Sequence, residues 1–356
     1  MRIVFVLTAL CLLGIVFKSR SSSSQLESIQ RSTEGCNLPA QSAQQMDGTV
    51  SVTAFDTWER TGSPLRMEYA RQEAGESILP IRHFLGLSEL PVVETFEWIL
   101  RHHSPTGPAT LVLDVGANTG FFSSAAGLLG YRVVAFEPQL GCIPWIVLHA
   151  HRNKVSDRVC ILNAGVGATA GVISVASAGC NPGYITANQI HQAAKAQVDD
   201  DEDNVTIKRP IDSTRTEIAV TSLAPFLSAG EIVPIVKIDT EGAEIGVLES
   251  LDVALREHRV RNVLVELAPH VWAEQPSGRG LLDGYLVLRR IIVDYGFHLK
   301  ALDDGESHSA KVIGESPFGD NLAHLKWYDV PVLLPYLQQL AQEKHGDNVL
   351  LTLDFM

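Results

Sequence analysis

The sequence predicts an α/β fold, a parallel β-sheet with helices covering both faces. Two observations carry this. Short apolar runs of strand length alternate with stretches of helical periodicity from residue 92 to residue 295, the rhythm of βαβ units. The first of these runs also ends in a glycine-containing turn that opens directly into a helix, Asp114-Val115-Gly116-Ala117-Asn118-Thr119-Gly120. No internal repeat interrupts the rhythm.

Each element follows in order. Val92, Val93, Phe96, Ile99 and Leu100 recur at helical spacing, so a helix over Val92–His103 precedes the sheet. Leu111–Val115 is the first strand, followed by a helix over Thr119–Leu129. Arg132–Phe136 and Ile143–Arg152 are the next strand and helix, and Val159–Asn163 is the third strand. Ile235–Ile238 then precedes a helix from about Gly242 to Arg256, and Asn262–Leu267 precedes a helix over Leu281–Tyr295. Past Phe297 the pattern is less regular, but Val349–Phe355 reads as a closing edge strand. Between Val172 and Thr221 lies a polar insertion, densest over 177–217, with the acidic run Asp199–Asp203. A run of like charges reads as a solvated loop.

The 356 residues equal roughly two domain lengths, or one large domain with extensions. With 46% hydrophobic residues the chain can bury a sizeable core, which excludes wholesale disorder. A net charge of −13 with no basic patch argues against nucleic acid as a partner, because phosphate backbones are repelled. The five cysteines, Cys11, Cys36, Cys142, Cys160 and Cys180, show no C-x-x-C spacing. They read as buried free thiols, with at most one or two bridges.

Residues 1–20 hold an apolar run, Ile3–Phe17, between Arg2 and the pair Lys18 and Arg20. About 15 residues is shorter than the ~20 of a spanning helix and matches a signal h-region. No small-x-small site follows directly, so a short signal anchor is preferred to a cleaved signal peptide. Residues 21–50, rich in Ser and Gln, read as a flexible stem, residues 51–110 as a helical extension, and residues 111–356 as the main domain. Anchor, stem and domain suggest a membrane-tethered enzyme facing the lumen of the secretory pathway, ER or Golgi. The sequon Asn204-Val205-Thr206 agrees with that side.

The chemistry concentrates at the ends of the predicted strands. Gly116 permits a sharp backbone turn close to a ligand, and the helix that follows points its N-terminus into the crevice. Glu137, at the tip of the second strand in Phe136-Glu137-Pro138, stands where an acid grips a ribose diol. Asn118 takes the place of the middle glycine of the dinucleotide fingerprint, and no G-x-x-x-x-G-K-[ST] loop occurs. Ribose grip without provision for phosphate points to S-adenosylmethionine, and Asp114 is an acid for its amino-acid end. A strand-turn-helix whose glycine and acid merely cap elements is the structural alternative.

Four motifs in order then resemble FkbM-type methyltransferases, a class I S-adenosylmethionine-dependent family. They are Asp114–Phe122, Phe136-Glu137-Pro138, Asn163-Ala164-Gly165-Val166-Gly167 and Lys237-Ile238-Asp239-Thr240-Glu241-Gly242-Ala243-Glu244. The resemblance spans about Leu111 to Pro269. It implies a Rossmann-like seven-stranded sheet, mostly parallel with one antiparallel strand, which suits Val349–Phe355. It also implies that Asp114, Gly116, Asn118 and Gly120 surround the methionine part of the cofactor. Glu137 would hold the ribose, and Asn163 and Ala164 would flank the adenine. The family generally methylates hydroxyl oxygens, including those of sugars. The insertion departs from the family pattern and puts the substrate class in doubt.

Methylating oxygen requires an aligned hydroxyl that loses its proton. Asp239 and Glu241 are the carboxylates best placed for this, although acids in a first helical turn also serve the helix dipole. Glu244, one turn on, reads as structural. Glu266 is a candidate to receive the proton or bind a sugar hydroxyl, with an ion pair to Lys237 as the alternative reading. His270 is a weaker candidate base. His149 and His151 sit two apart on one helix and so face different ways, which makes them surface or filler residues. No ligand pattern is specific enough to claim a metal.

The sequence thus reads as an O-methyltransferase acting on a glycan or another hydroxyl-bearing acceptor. An NAD(P)-linked reductase or epimerase would need a glycine at 118 and a Tyr-x-x-x-Lys pair, which are not seen. A catalytically silent binding module is disfavoured by the retention of Gly116 and Glu137.

Overall fold

A run of apolar residues with no polar partner in alternate positions forms a strand only where both faces are covered. Leu111–Val115, Val236–Ile238 and Asn262–Leu267 are mostly apolar, broken only by Asp114, Lys237, Asn262 and Glu266, and they lie side by side at the centre of a sheet. The computed structural model describes residues 54–59, 63–71, 90–102, 110–176, 180, 215–228, 230–274, 280–302, 325–327 and 330–353. All of these belong to one unit, residues 42–356. The segments read as anchor and stem, the acidic run Asp199–Asp203, the sequon at Asn204 and the cysteines Cys11 and Cys36 lie outside the described residues.

A hairpin opens the described chain, β1 (Ala54–Glu59) against β2 (Arg66–Arg71), before helix α1 (Leu90–His102). The stretch read as a helical extension therefore contains a strand pair as well as its helix. Alternation then begins with β3 (Leu111–Val115), α2 (Phe121–Leu128), β4 (Arg132–Phe136), α3 (Ile143–Arg152) and β5 (Val159–Leu162). A small second sheet follows, made of β6 (Gly165–Val166), β7 (Gly171–Ala176) and β8 (Arg215–Thr221). Strands β7 and β8 pair antiparallel from Gly171 opposite Val220 to Ala176 opposite Arg215. The polar insertion is thus an excursion from the end of a two-stranded ribbon. The chain returns through β9 (Val236–Ile238), α4 (Glu244–Ser250), α5 (Asp252–Arg256), β10 (Asn262–Leu267), α6 (Pro269–Ala273) and α7 (Gly280–Val293). It ends with β11 (Phe297–Leu302), β12 (Leu325–Trp327), α8 (Val330–Glu343) and β13 (Asp347–Leu353).

The main sheet runs in the order β12-β11-β13-β10-β9-β3-β4-β5. Its strands from β11 to β5 match the expected seven-stranded sheet with one antiparallel strand, since β13 pairs antiparallel with both β10 and β11. Two details differ from the sequence reading. The C-terminal strand is not at an edge but wedged between β10 and β11, and the short β12 adds an eighth strand outside β11. Strand order reverses at β3, which has β4 on one side and β9 on the other. In an open α/β sheet the ligand crevice lies at that reversal, beyond the strand C-termini.

One face of the sheet is packed by α1, α2 and α3. Phe96, Ile99 and Leu100 of α1, Ala125 and Ala126 of α2 and Ile146 and Ala150 of α3 join Val112, Val133, Ala135, Ile235, Leu264 and Leu350 in one core cluster. In α1 and α3 these residues repeat at three- and four-residue spacing, so each of those helices turns one stripe to the sheet.

Candidate active site

The turn after β3 is built by backbone hydrogen bonds to the neighbouring strand ends. Gly116 and Ala117 both donate their N–H groups to the Phe136 carbonyl at the end of β4, at 2.9 and 3.0 Å. Gly116 has φ +80°, and a Cβ there would lie 1.7 Å from the Asp239 carbonyl oxygen. The missing side chain therefore lets two protein segments touch, the β3 turn and the end of β9. This is a packing role for Gly116 that the sequence reading did not include. The link is closed by Asp239 N–H, which donates to the Val115 carbonyl at 2.9 Å. Gly120, with φ +82°, caps α2, and a Cβ would meet Ile146 of α3 at 2.7 Å.

Glu137 is 2% exposed, and each carboxylate oxygen accepts one backbone N–H: Oε2 from Asn118 and Oε1 from Gln139, both at 2.8 Å. A carboxylate oxygen has two acceptor sites, so one remains on each for a pair of hydroxyls. Burial, reinforced by Asp114 and Asp239, pushes this acid up to about 7 against the two N–H bonds that favour its charge. Asn163 donates Nδ2 to the carbonyls of Glu137 and Pro138, at 2.9 and 3.1 Å, so it braces the loop that carries the acid. Ala164 is buried, its N–H bonded to the Leu162 carbonyl.

The folded Glu137 keeps its proton up to about pH 7, whereas in the unfolded chain it loses it near 4.5. Its contribution to stability is therefore complete below that lower value and declines as pH rises towards 7. In Glu137→Gln this decline should vanish; urea midpoints at pH 5 and pH 8 that differ equally in variant and wild type would contradict it.

Charge is concentrated where β3 meets β9. Asp114 and Lys237 are opposite each other in register. Asp114 Oδ2 accepts the Ser123 hydroxyl at 2.5 Å, while its other oxygen is buried with no hydrogen-bond partner. Burial pushes Asp114 upward against Ser123 and Lys237. Lys237, 4% exposed, donates Nζ to Asp239 Oδ2 at 2.8 Å and lies 5.0 Å from the centre of the Phe122 ring. Asp239 is 30% exposed at the rim. Glu241 follows with φ +55° and an exposed side chain. Such a backbone is strained for a residue with a Cβ and is held only by its surroundings. Desolvation, then the charges of Asp239 and Glu244, push Glu241 upward, with Lys237 opposing and solvent screening the effect. Glu244 is fully buried and accepts from Thr240 Oγ1, Gly242 N–H and Trp272 Nε1 at 2.7–2.9 Å. It ties the Asp239–Gly242 turn to α6, in keeping with its structural reading.

Glu266 lies further out, on β10 opposite Asn348 of β13, where a Cβ on Gly346 would meet its Oε1 at 3.0 Å. His270 Nδ1 donates to the His345 carbonyl at 3.2 Å. His151 is exposed, but His149 is buried and its Nδ1 donates to the Thr119 carbonyl at 2.7 Å. Burial pushes His149 downward, so it holds the β3–α2 turn as a neutral ring. Sequence reading missed this role, Ser123, and the pairing of Lys237 with Asp239. A lone lysine within the apolar run of β9 was the available signal for the last.

The cysteines also differ from expectation. Cys142 and Cys180 are joined in a disulfide, and Cys160 is disulfide-bonded as well.

Three carboxylates, Asp114, Asp239 and Glu241, lie within electrostatic reach of the buried Lys237, and a fourth, Glu137, is coupled to Asp114 and Asp239. This arrangement fits an adenosyl sulfonium: two hydroxyls for Glu137, an unsatisfied oxygen on Asp114, and a group of acids whose charged forms a bound cation would favour. Among solved structures, the chain is similar to precorrin-6Y C5,15-methyltransferase of Geobacter metallireducens GS-15. Identity is 10%, with 79% of this chain and 93% of that chain covered and a TM-score of 0.33. It is also similar to an S-adenosylmethionine-dependent methyltransferase of Agrobacterium tumefaciens, at 9% identity, 86% and 72% coverage and a TM-score of 0.38. No curated protein matches. The family model of the methyltransferase FkbM domain matches residues 114–299, from the acid at the end of β3 into β11 and over half of the chain. The crevice at the strand reversal, with its carboxylate lining, is therefore that of a member of the FkbM methyltransferase family, which uses S-adenosylmethionine.

Proposed function

We propose that the protein methylates a hydroxyl oxygen, with a glycan as the first class of acceptor, in the lumen of the secretory pathway, tethered there by its N-terminal segment. The observation that carries the oxygen assignment is the pair Asp239 and Glu241 at the rim of the crevice, next to the Asp114 and Glu137 positions. A hydroxyl needs a base that is partly unprotonated near neutral pH, and the upward push on Glu241 supplies one. Asp239, fixed by Lys237 Nζ, is suited to align the hydroxyl, and alignment is worth roughly 7–11 kcal/mol of barrier.

When bound, S-adenosylmethionine supplies a methyl group on a cationic sulfur, open to in-line attack. The residues of the chain do the rest. Glu137 holds the ribose hydroxyls, Asp114 and the β3–α2 turn face the amino-acid end, and Glu241 takes the acceptor proton at a carboxylate oxygen. Glu266 lines the same sheet edge and serves acceptor hydroxyls there.

The compartment is supported by the disulfide-bonded cysteines Cys142, Cys180 and Cys160, since such bridges persist in oxidising surroundings. The apolar run Ile3–Phe17 and the sequon at Asn204 agree. No helix among the described residues is long and apolar enough to cross a membrane.

The test is incubation of the purified full chain with methyl-labelled S-adenosylmethionine and a panel of glycans, small alcohols, amines and proteins. Base-stable label on a glycan hydroxyl is expected. Label confined to nitrogen would remove the oxygen assignment, and label on alcohols but never on glycans would remove the acceptor class.

A further inference from the structure

Cys142 immediately precedes α3, just after the loop carrying Glu137, while Cys180 lies in the excursion between β7 and β8. The two are 38 residues apart, bridged, and buried against Trp145. Cys180 Sγ is also 3.3 Å from Asn118 Oδ1. A bridged sulfur carries no proton, so this is a packing contact and not a hydrogen bond. Three separate points of the chain thus meet: the β3–α2 turn, the start of α3 and Cys180. Methyl transfer itself has no use for such a bridge.

We propose that the Cys142–Cys180 disulfide is a positioning staple for the cofactor site, so that cofactor affinity depends on the bridge being closed. The inference rests on the cofactor reading above and goes beyond it by making the site sensitive to reduction.

Asn118 is the link between bridge and cofactor. Its backbone is left-handed, with φ +50°, a conformation that asparagine tolerates but does not enforce. Two neighbours hold it there. Its N–H bonds to Glu137 Oε2 on one side, and its side chain packs on the bridged sulfur on the other. The same N–H helps to aim the Glu137 carboxylate. When the bridge opens, two thiols replace it, Cys180 loses its covalent tie to the start of α3, and only a weak S–H donor facing Asn118 Oδ1 holds it to the turn. Asn118 then loses its fixed wall, and Glu137 Oε2 loses a fixed donor. Such coupling is reciprocal: if closure tightens cofactor binding, bound cofactor resists opening by the same factor.

The experiment compares the full-length wild type with the double variant Cys142→Ala/Cys180→Ala, titrated with S-adenosylhomocysteine in a calorimeter well below the melting temperature. The staple predicts a Kd raised about tenfold, within the usual range of coupling between sites. A purely structural bridge would lower the melting temperature and leave Kd alone, and that result overturns the proposal. If the wild type itself fails to bind, the cofactor reading falls and the staple with it, which is a different outcome from equal binding. Should the variant not fold, the wild type is equilibrated with dithiothreitol, which reduces the bridge to two thiols and closes to a cyclic disulfide. S-adenosylhomocysteine should then raise the reductant needed to open Cys142–Cys180, read by peptide mass mapping, by the same factor. An unshifted midpoint overturns the proposal.

Discussion

Glu241→Gln lowers the rate of methyl transfer by about 10²–10⁴-fold, the worth of a positioned general base, and leaves the affinity for S-adenosylhomocysteine as it was. The substitution keeps the size of the side chain and removes its capacity to take a proton. Glu241 is pushed up to about 7, so wild-type turnover at saturating substrate rises with pH through that region as the carboxylate forms. The variant should lose this rising limb. Asp239→Asn should also slow turnover, but it removes the ion-pair partner of a buried lysine, so lower stability accompanies the loss. Single-turnover rates and calorimetry on both variants separate the two roles. Equal losses in rate and in cofactor affinity for Glu241→Gln would make it a structural residue.

Gly116→Ala destabilises the fold by about 2–4 kcal/mol, the sum expected of a left-handed backbone and an overpacked contact. The new Cβ would stand 1.7 Å from the Asp239 carbonyl, and neither side can yield cheaply because both are backbone. The β3 turn and the end of β9 must separate, which moves the cofactor turn and Asp239 at once. Gly130 provides the comparison. It has φ +95°, but an added methyl group there would meet nothing within 4 Å, so Gly130→Ala should show the backbone effect alone, about 1 kcal/mol. Urea unfolding of the two variants decides this, and equal midpoints would remove the steric argument.

The parts of the fold legible in the sequence were those whose cause is local. Ile143–Arg152 and Asn262–Leu267 are helix and strand with the expected bounds, because an amphipathic stripe states its period and a short, β-branched, mostly apolar segment has the length and composition of a strand. The region past Phe297 was illegible for equally local reasons. Strand β11 buries Lys300 amid its apolar residues, and α8 carries Pro331 and Pro335, which mask the stripe Leu333, Tyr336, Leu337 and Leu340. Strands β7 and β8 were missed because each finds its partner across about 40 residues of excursion, a pairing no short window contains. The place of β13 inside the sheet is a property of strand order, which sequence pattern does not carry.

The site divides in the same way. Asp114, Glu137 and Asp239 could be located because they end strands, and strand ends are where an α/β crevice forms. What could not be read was how neighbours use them. Gly116 makes room for the Asp239 backbone, Asn163 braces the Glu137 loop, His149 holds Thr119, and Cys142 meets Cys180. Each depends on two segments brought together only by folding.

Glu137 is where the cofactor assignment meets its most direct test. Titrating S-adenosylhomocysteine into wild type and Glu137→Ala measures whether its buried carboxylate holds the cofactor. Measured at pH 8, where the Glu137 carboxylate is ionised, a loss of about 1.5–3 kcal/mol in binding, as expected for a charged acceptor facing hydroxyls, is the predicted result. An unchanged dissociation constant in a folded variant would contradict it.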